Sequence, residues 1–390
     1  MGEGRVTPVA AALALLLVLV SVLVVGLGLG PPPHRPRQVK ELDHHRYIAM
    51  AKAPPLPTAD PLARERPFAY RILVPALVRG LCAVSGASVH LAFWLTTVLF
   101  LWGWLFLLFL WLRLAGFDTP TALLGMSLAG FTPGAVRWYA YQYWMSDPLS
   151  LLLVALGLLL ARGRRRPALA GVSVAGLLAR ETYLLVPVWA TLRWIREEGA
   201  SRALAARLLA SFGAAVLIWF AVRLAVPVEG GPGLVEAAGE NLAFRARHLI
   251  DNQWYFASLG SFGVLLPLLL LRWRHAGAAL RGRPEDAALL LLVYGSLAFA
   301  NNTDRLLAYA LPVVLPPALR AVQDLQARWG RSLAAAAALL GQVFFYAVTP
   351  AWGEPGLSLY QPVRWSVVVL CGLLLAAGAA TLGRRSYSSK

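Results

Sequence analysis

The chain has 390 residues, 58% of them hydrophobic and only 14% charged, with a formal net charge of +17. Soluble domains carry about 25% charged residues, so this composition, with a mean hydropathy of +0.62, reads as an integral membrane protein. The basic excess lies in short loops between apolar runs, which follows the positive-inside rule and argues against a nucleic-acid partner.

In chain order, apolar segments are expected near 8–30, 87–112, 120–136, 148–161, 167–179, 182–193, 203–226, 254–271, 287–300, 306–319, 332–349 and 363–382. The whole of 1–390 therefore reads as one all-α domain, a polytopic transmembrane bundle of about 11–12 segments. The first run is longer than the ~7–15-residue core of a signal peptide and reads as a retained helix, with a cleaved signal as the alternative. Cys82 and Cys371 lie in or beside apolar runs and form neither a disulfide framework nor a zinc site.

The loop 31–86 carries Asp43-His44-His45-Arg46-Tyr47-Ile48-Ala49-Met50-Ala51 and then Pro67-Phe68-Ala69-Tyr70-Arg71. Residues 69–84, with Arg71 and Arg79, are too short and too polar to span. They suit an amphipathic helix lying on the outer surface. With the N-terminus inside, the segments alternate so that Arg162-Gly163-Arg164-Arg165-Arg166 and the C-terminal tail also fall inside. Loop 31–86 is then outside, and its many basic residues run against the rule unless they have work there.

Residues 167–193 must cross twice in 27 residues. Two full crossings need about 40, so two short helices are expected to meet at Arg180-Glu181, below the outer surface. Such breaks are tolerated where protein or a wet cavity covers the backbone ends. A second outer loop, 227–253, has room for a short amphipathic helix.

This topology collects ionisable residues on the outer side: Asp43, His44, His45, Arg46, Tyr47, Arg71, Arg137, Asp147, Arg180, Glu181, Asp304 and Arg305. Several charges converging from separate segments point to a cavity for something charged. Each also has a plainer reading. Asp43 is a loop acid that Arg46 can neutralise. His44 and His45 lie in a wet loop, and adjacent histidines face apart, which disfavours a metal. Asp147-Pro148 suits a helix N-cap with Pro at N1. Arg180-Glu181 reads as a local ion pair, and Asp304-Arg305 as a capped helix start or an ion pair. Trp138–Trp144 reads as an interfacial aromatic belt rather than a sugar platform.

Asp43 to Ala51 after the first helix, the Pro67–Arg71 surface stretch, Asp147 at a helix start, Leu178-Ala179-Arg180-Glu181-Thr182 and Asn302-Thr303-Asp304-Arg305 follow in order over about residues 8–320. This layout resembles the GT-C superfamily of integral membrane glycosyltransferases, in particular its bacterial members. The resemblance implies transfer of a sugar from a polyprenyl-phosphate-linked donor, usually with inversion, at the outer face of a bacterial inner or plasma membrane. Asp43 would be the general base. Arg71, Arg180 and Arg305 would bind the donor phosphate. Asp147, Glu181, Tyr47, His44 and Asp304 would orient the acceptor or an arginine.

The implied partners are the lipid-linked donor, membrane lipid and a glycan, lipid or protein acceptor. Asp43 is followed by His44 where many members carry a second acid, so no metal site and no cofactor is assigned. A transporter or flippase for a lipid-linked or anionic solute, or a non-catalytic membrane scaffold, are the alternatives.

Overall fold

The computed structural model describes residues 8–29, 44–53, 60–230, 234–248, 255, 257–299 and 303–349. Among these every regular element is helical. The helices are α1 (Pro8–Leu29), α2 (His44–Lys52), α3 (Leu73–Ser85), α4 (Val89–Leu114), α5 (Thr119–Gly130), α6 (Val136–Tyr141), α7 (Asp147–Arg162), α8 (Arg166–Ala179), α9 (Leu185–Glu198), α10 (Arg202–Leu208) and α11 (Ala214–Ala225). They continue with α12 (Leu234–Arg247), α13 (Leu259–Phe262), α14 (Leu265–Leu271), α15 (Trp273–Gly282), α16 (Pro284–Gly295), α17 (Thr303–Leu307), α18 (Leu311–Trp329) and α19 (Arg331–Val348). A π-turn at Leu209–Gly213 joins α10 and α11 into one continuous run. Val89–Leu114, Arg202–Ala225 and Arg305–Trp329 are long and apolar enough to cross a membrane by length and composition.

Local chemistry sets the helix boundaries. Ser88 caps α4 by accepting from the Leu91 N–H, Asp118 caps α5 through Thr121, and Ser201 caps α10 through Leu204. Proline stands in the first turn of α5, α7, α8 and α16, where a missing N–H costs nothing. Gly330, at φ +88°, turns the chain between α18 and α19.

The centre of the bundle is α4 packed on α5 and α7, with α7 on α8 and α8 on the α10–α11 run. Helix α1 lies across α5 and α6, α9 pairs with α16, and α18 packs on α14 and α19. Trp104, Trp138, Trp144 and Trp189 are all fully buried in this core. Helix α18 contains Pro316, which has no N–H for the carbonyl of Pro312. The indole of Trp111 on α4 donates to that carbonyl at 2.7 Å, so the vacancy left by one proline ties two helices together.

Several sequence expectations are corrected here. The segment 120–136 is not continuous: α5 stops at Gly130, and Thr132-Pro133-Gly134 carries the chain into short α6. Segment 254–271 breaks at Gly263 between α13 and α14. Both breaks are served by one fully buried side chain on α19. Gln342 Oε1 accepts from the Val264 N–H at 2.8 Å, and its Nε2 donates to the Phe131 carbonyl at 3.2 Å. This is how broken helices become tolerable in an apolar interior.

The aromatic stretch 138–144 is no interfacial belt. Trp138, Tyr139, Tyr143 and Trp144 are buried, because α6 folds inward against α1 and α4. Arg71 does not begin a water-facing helix; it closes a 3-10 turn, Phe68–Tyr70, and is buried ahead of α3. The expected segment 363–382 lies outside the described residues.

The two short helices of 167–193 are α8 and α9, joined by a 3-10 turn at Glu181–Leu184. Tyr183 of that turn is fully buried, wedged between α7 and α8. A Cβ added at Gly176 would stand 2.1 Å from its ring, and one at Gly157 2.6 Å from its hydroxyl. Gly176→Val is expected to lower stability by roughly 1–3 kcal/mol through overpacking. Tyr183→Phe, which keeps the ring, is expected to cost about 1 kcal/mol for its contact with Ser173. Thermal unfolding of the detergent-solubilised chain measures both.

Candidate functional site

Arg180 ends α8 in extended backbone, φ −169° and ψ 147°. Successive side chains on extended backbone project to opposite sides. Arg180 and Glu181 are therefore not each other's partners. Arg180 Nη1 forms an ion pair with Asp147, while Glu181 turns to Arg71. The Arg71 fork donates twice to Glu181, from Nη2 at 2.9 Å and from Nε at 3.1 Å.

Asp147 is fully buried in the first turn of α7. It does not act as an N-cap; Ser146 holds that position in helical backbone without a side-chain cap bond. The carboxylate instead lies between two guanidiniums, that of Arg180 and that of Arg305 from α17, whose Nε is 3.4 Å away. Its place at a helix N-terminus also suits a negative charge. Arg305 Nη1 further points at the Met145 sulfur, 3.8 Å away.

Tyr47 links the two ion-paired groups. Its hydroxyl lies 3.2 Å from Ser146 Oγ and takes a hydrogen bond from Arg71 Nη1 at 3.2 Å. The contacts close into a ring: Asp147 to Arg180, Glu181 to Arg71, Arg71 to Tyr47, Tyr47 to Ser146, and back to Asp147 along the chain. Phe68 lies under this ring's outer edge, with the guanidinium carbons of Arg71 at 5.4 Å and Arg46 at 4.8 Å from its centre. Arg46 makes a twofold contact with Glu65, from Nε at 2.7 Å and from Nη2 at 2.5 Å.

Hydroxyls line the inner side. Ser150 on α7 and Thr182 in the turn are 2.8 Å apart. Tyr309 stands beside them and beside Asp147. Tyr139 is fully buried near Asp147, and its hydroxyl has no hydrogen-bond partner among the described residues. Glu181, in the turn outside the long apolar helices, is about one-third exposed. Burial alone would push its carboxyl up; the neighbouring Arg71 outweighs that and holds it at about 2.

Of the residues singled out from sequence, Tyr47, Arg71, Asp147, Arg180, Glu181 and Arg305 share this cluster. His44 does not join it. It starts α2, buried, with its ring 4.9 Å from that of Trp144 and 3.8 Å from that of His45. The reading of His44 as part of a wet loop is thus corrected. Arg137 goes elsewhere: it donates to the carbonyls of Tyr346, Ala347 and Thr349 at the end of α19. Asp43 and the side chain of Asp304 lie outside the described residues. Among the described residues no group of three or more His, Cys, Asp or Glu is placed to hold a metal ion.

Ser146, Ser150, Thr182, Tyr139 and Tyr309 were not assigned to the site from sequence. Tyr309 follows Arg305 by four residues, a helical spacing that carries a signal. Glu65 carries none, since its partner is 19 residues away across a loop.

No known family's sequence pattern matches the chain, and no curated protein is significantly similar to it. The site must be read from its own chemistry.

Removing one partner of a buried ion pair leaves the other charge unpaired, at roughly 3–5 kcal/mol. Asp147→Asn, which leaves two buried guanidiniums facing each other, is expected to destabilise the chain by that amount. Glu181→Gln, at a partly open edge, is expected to cost less. The depressed Glu181 carboxyl contributes stability that is complete above its ordinary value of 4.5 and is lost as pH falls through about 2. Unfolding midpoints of wild type and both variants, followed from neutral to acid pH, check the order and the sign.

Proposed function

We propose that this chain is a multi-pass membrane glycosyltransferase that moves a sugar from a polyprenyl-phosphate-linked donor to an acceptor hydroxyl. The observation that carries the reading is the buried gathering of Arg71, Arg180 and Arg305 around Asp147 and Glu181. Four separate stretches of chain contribute to it, and structural needs alone would be met more simply by apolar packing.

In this reading Asp43 is the general base. It takes the proton of the acceptor hydroxyl as that oxygen attacks the anomeric carbon. The new carbon–oxygen bond forms on the face opposite the leaving group, and the bond to the lipid phosphate breaks with its electron pair left on phosphate. The developing phosphate charge is met by guanidiniums fixed in advance. Asp147 and Glu181 do the fixing, holding the arginine forks in place before the donor arrives. Asp43 directly precedes α2, whose Tyr47 joins the ring, and this supports a base next to the cationic cluster.

The same reading places the reaction at the outer face of a bacterial inner or plasma membrane, with both chain ends inside. The three membrane-length helices and the shorter apolar helices support that setting. The acceptor is a glycan, lipid or protein hydroxyl. No cofactor and no metal is assigned, and nucleic acid is not a partner.

Mass spectrometry of lipids co-purifying with the chain tests the donor. A polyprenyl phosphate or its sugar adduct is expected with wild type and is expected to be lost with Arg180→Ala/Arg305→Ala. The sugar so identified is then offered to Asp43→Asn. Loss of a general base should slow transfer by about 10²–10⁴-fold. A deficit below about tenfold, or bulk phospholipid alone in both preparations, overturns the assignment and favours a transporter or a scaffold.

A further inference from the structure

We propose that Arg223 and Trp219, on α11, bind the phosphate of a lipid headgroup. Arg71, Arg180 and Arg305 each face a carboxylate. Arg223 does not: among the described residues it has no ion-pair partner and no hydrogen-bond acceptor. It is held by ring faces instead, with its guanidinium carbon 3.6 Å from the centre of Trp219 and 4.6 Å from that of Tyr70. The nearby carboxylate of Glu181 is already held by Arg71. The indole Nε1 of Trp219 is buried and likewise lacks an acceptor.

Two donors, one turn apart on one helix, thus stand without an acceptor at the edge of the ionic ring. A guanidinium held against two ring faces is oriented beforehand, so binding a tetrahedral oxyanion orders little more. Phosphate oxygens supply acceptors for both the fork and the indole N–H.

The helix says where the phosphate comes from. Leu217, Phe220 and Leu224, at helical spacing beside Trp219 and Arg223, are 71%, 54% and 87% exposed. Of the three membrane-length helices, Arg202–Ala225 is the least covered by the rest of the chain. A lipid phosphate lays its apolar chain along this stripe while its head meets Arg223. A phosphate ion from water gains nothing from the stripe. Arg223 is in the last turn of α11, against Tyr70 and near Glu181, so a lipid held there stands beside the cluster. The inference deepens the reading above by naming where the donor's phosphate first binds, and it rests on that reading for the identity of the lipid.

The test uses the full chain in detergent, with farnesyl phosphate as probe and farnesol and inorganic phosphate as separate arms, affinities being read by native mass spectrometry. Farnesyl phosphate is expected to bind wild type at least about tenfold more tightly than either control. Arg223→Ala is expected to weaken it by about tenfold or more, and Trp219→Phe, which keeps a ring but removes the N–H, severalfold. Unchanged affinity in both variants overturns the site. Inorganic phosphate binding as tightly as farnesyl phosphate overturns the lipid assignment. If Arg223→Ala fails to fold, Trp219→Phe decides.

Sugar transfer separates the two proposals. Binding that depends on Arg223 in a chain with no transferase activity leaves this site standing and removes the reaction. Unaltered binding and transfer in Arg223→Ala do the reverse.

Discussion

A carboxylate buried between two guanidiniums constrains everything around it. Asp147 has no access to water, and burying it is offset by Arg180 and Arg305, brought to it from other parts of the chain. That requirement fixes where α7 starts, where α8 stops and how α17 enters the bundle. It also explains why the turn after α8 is tight: Arg180 must reach inward while Glu181 reaches Arg71. Tyr47 then draws α2 onto the same cluster. The ionic ring is both the candidate site and the clasp that holds helices from distant parts of the sequence in one arrangement.

The surrounding scaffold solves a related problem. An apolar interior tolerates helix breaks only where the freed backbone groups find partners. Gln342 serves the breaks after Phe131 and before Val264, and Trp111 serves the carbonyl that Pro316 leaves open. These polar contacts stand at sites where the chain departs from regular helix, and the departures let α6 and α17 carry Arg137, Tyr139 and Arg305 to their places.

Much of the helix layout was legible from apolar runs and helix-start chemistry, because the 14% of charged residues punctuate the sequence sharply. The convergence of Arg71, Asp147, Arg180, Glu181 and Arg305 was legible as a shared side of the bundle, since charges among apolar runs must meet one another. Their pairing was not. Sequence proximity favoured Arg180 with Glu181, and only the extended backbone at Arg180 separates them. The inward fold of Trp138–Trp144 was hidden for a similar reason: aromatic composition alone does not distinguish a membrane interface from a packed core. Breaks such as those near Gly130 and Gly263 depend on Gln342, more than 70 residues further along the chain, and no local pattern announces such a partner. An arginine near the end of an apolar helix is commonplace, so Arg223 carries no signal in the sequence; what sets it apart is that no acid among the described residues pairs with it.

The single extended residue at Arg180 gives the α8–α9 connection an unusual property. Surface connections ordinarily accept added or lost residues. Here the extended backbone at Arg180 sends two adjacent side chains to different partners. Adding one residue between them would turn Glu181 away from Arg71 and leave that buried guanidinium without its carboxylate. The turn is therefore a length-locked element, and its tolerance is inverted: its residues can be exchanged for others of like charge more readily than their number can change.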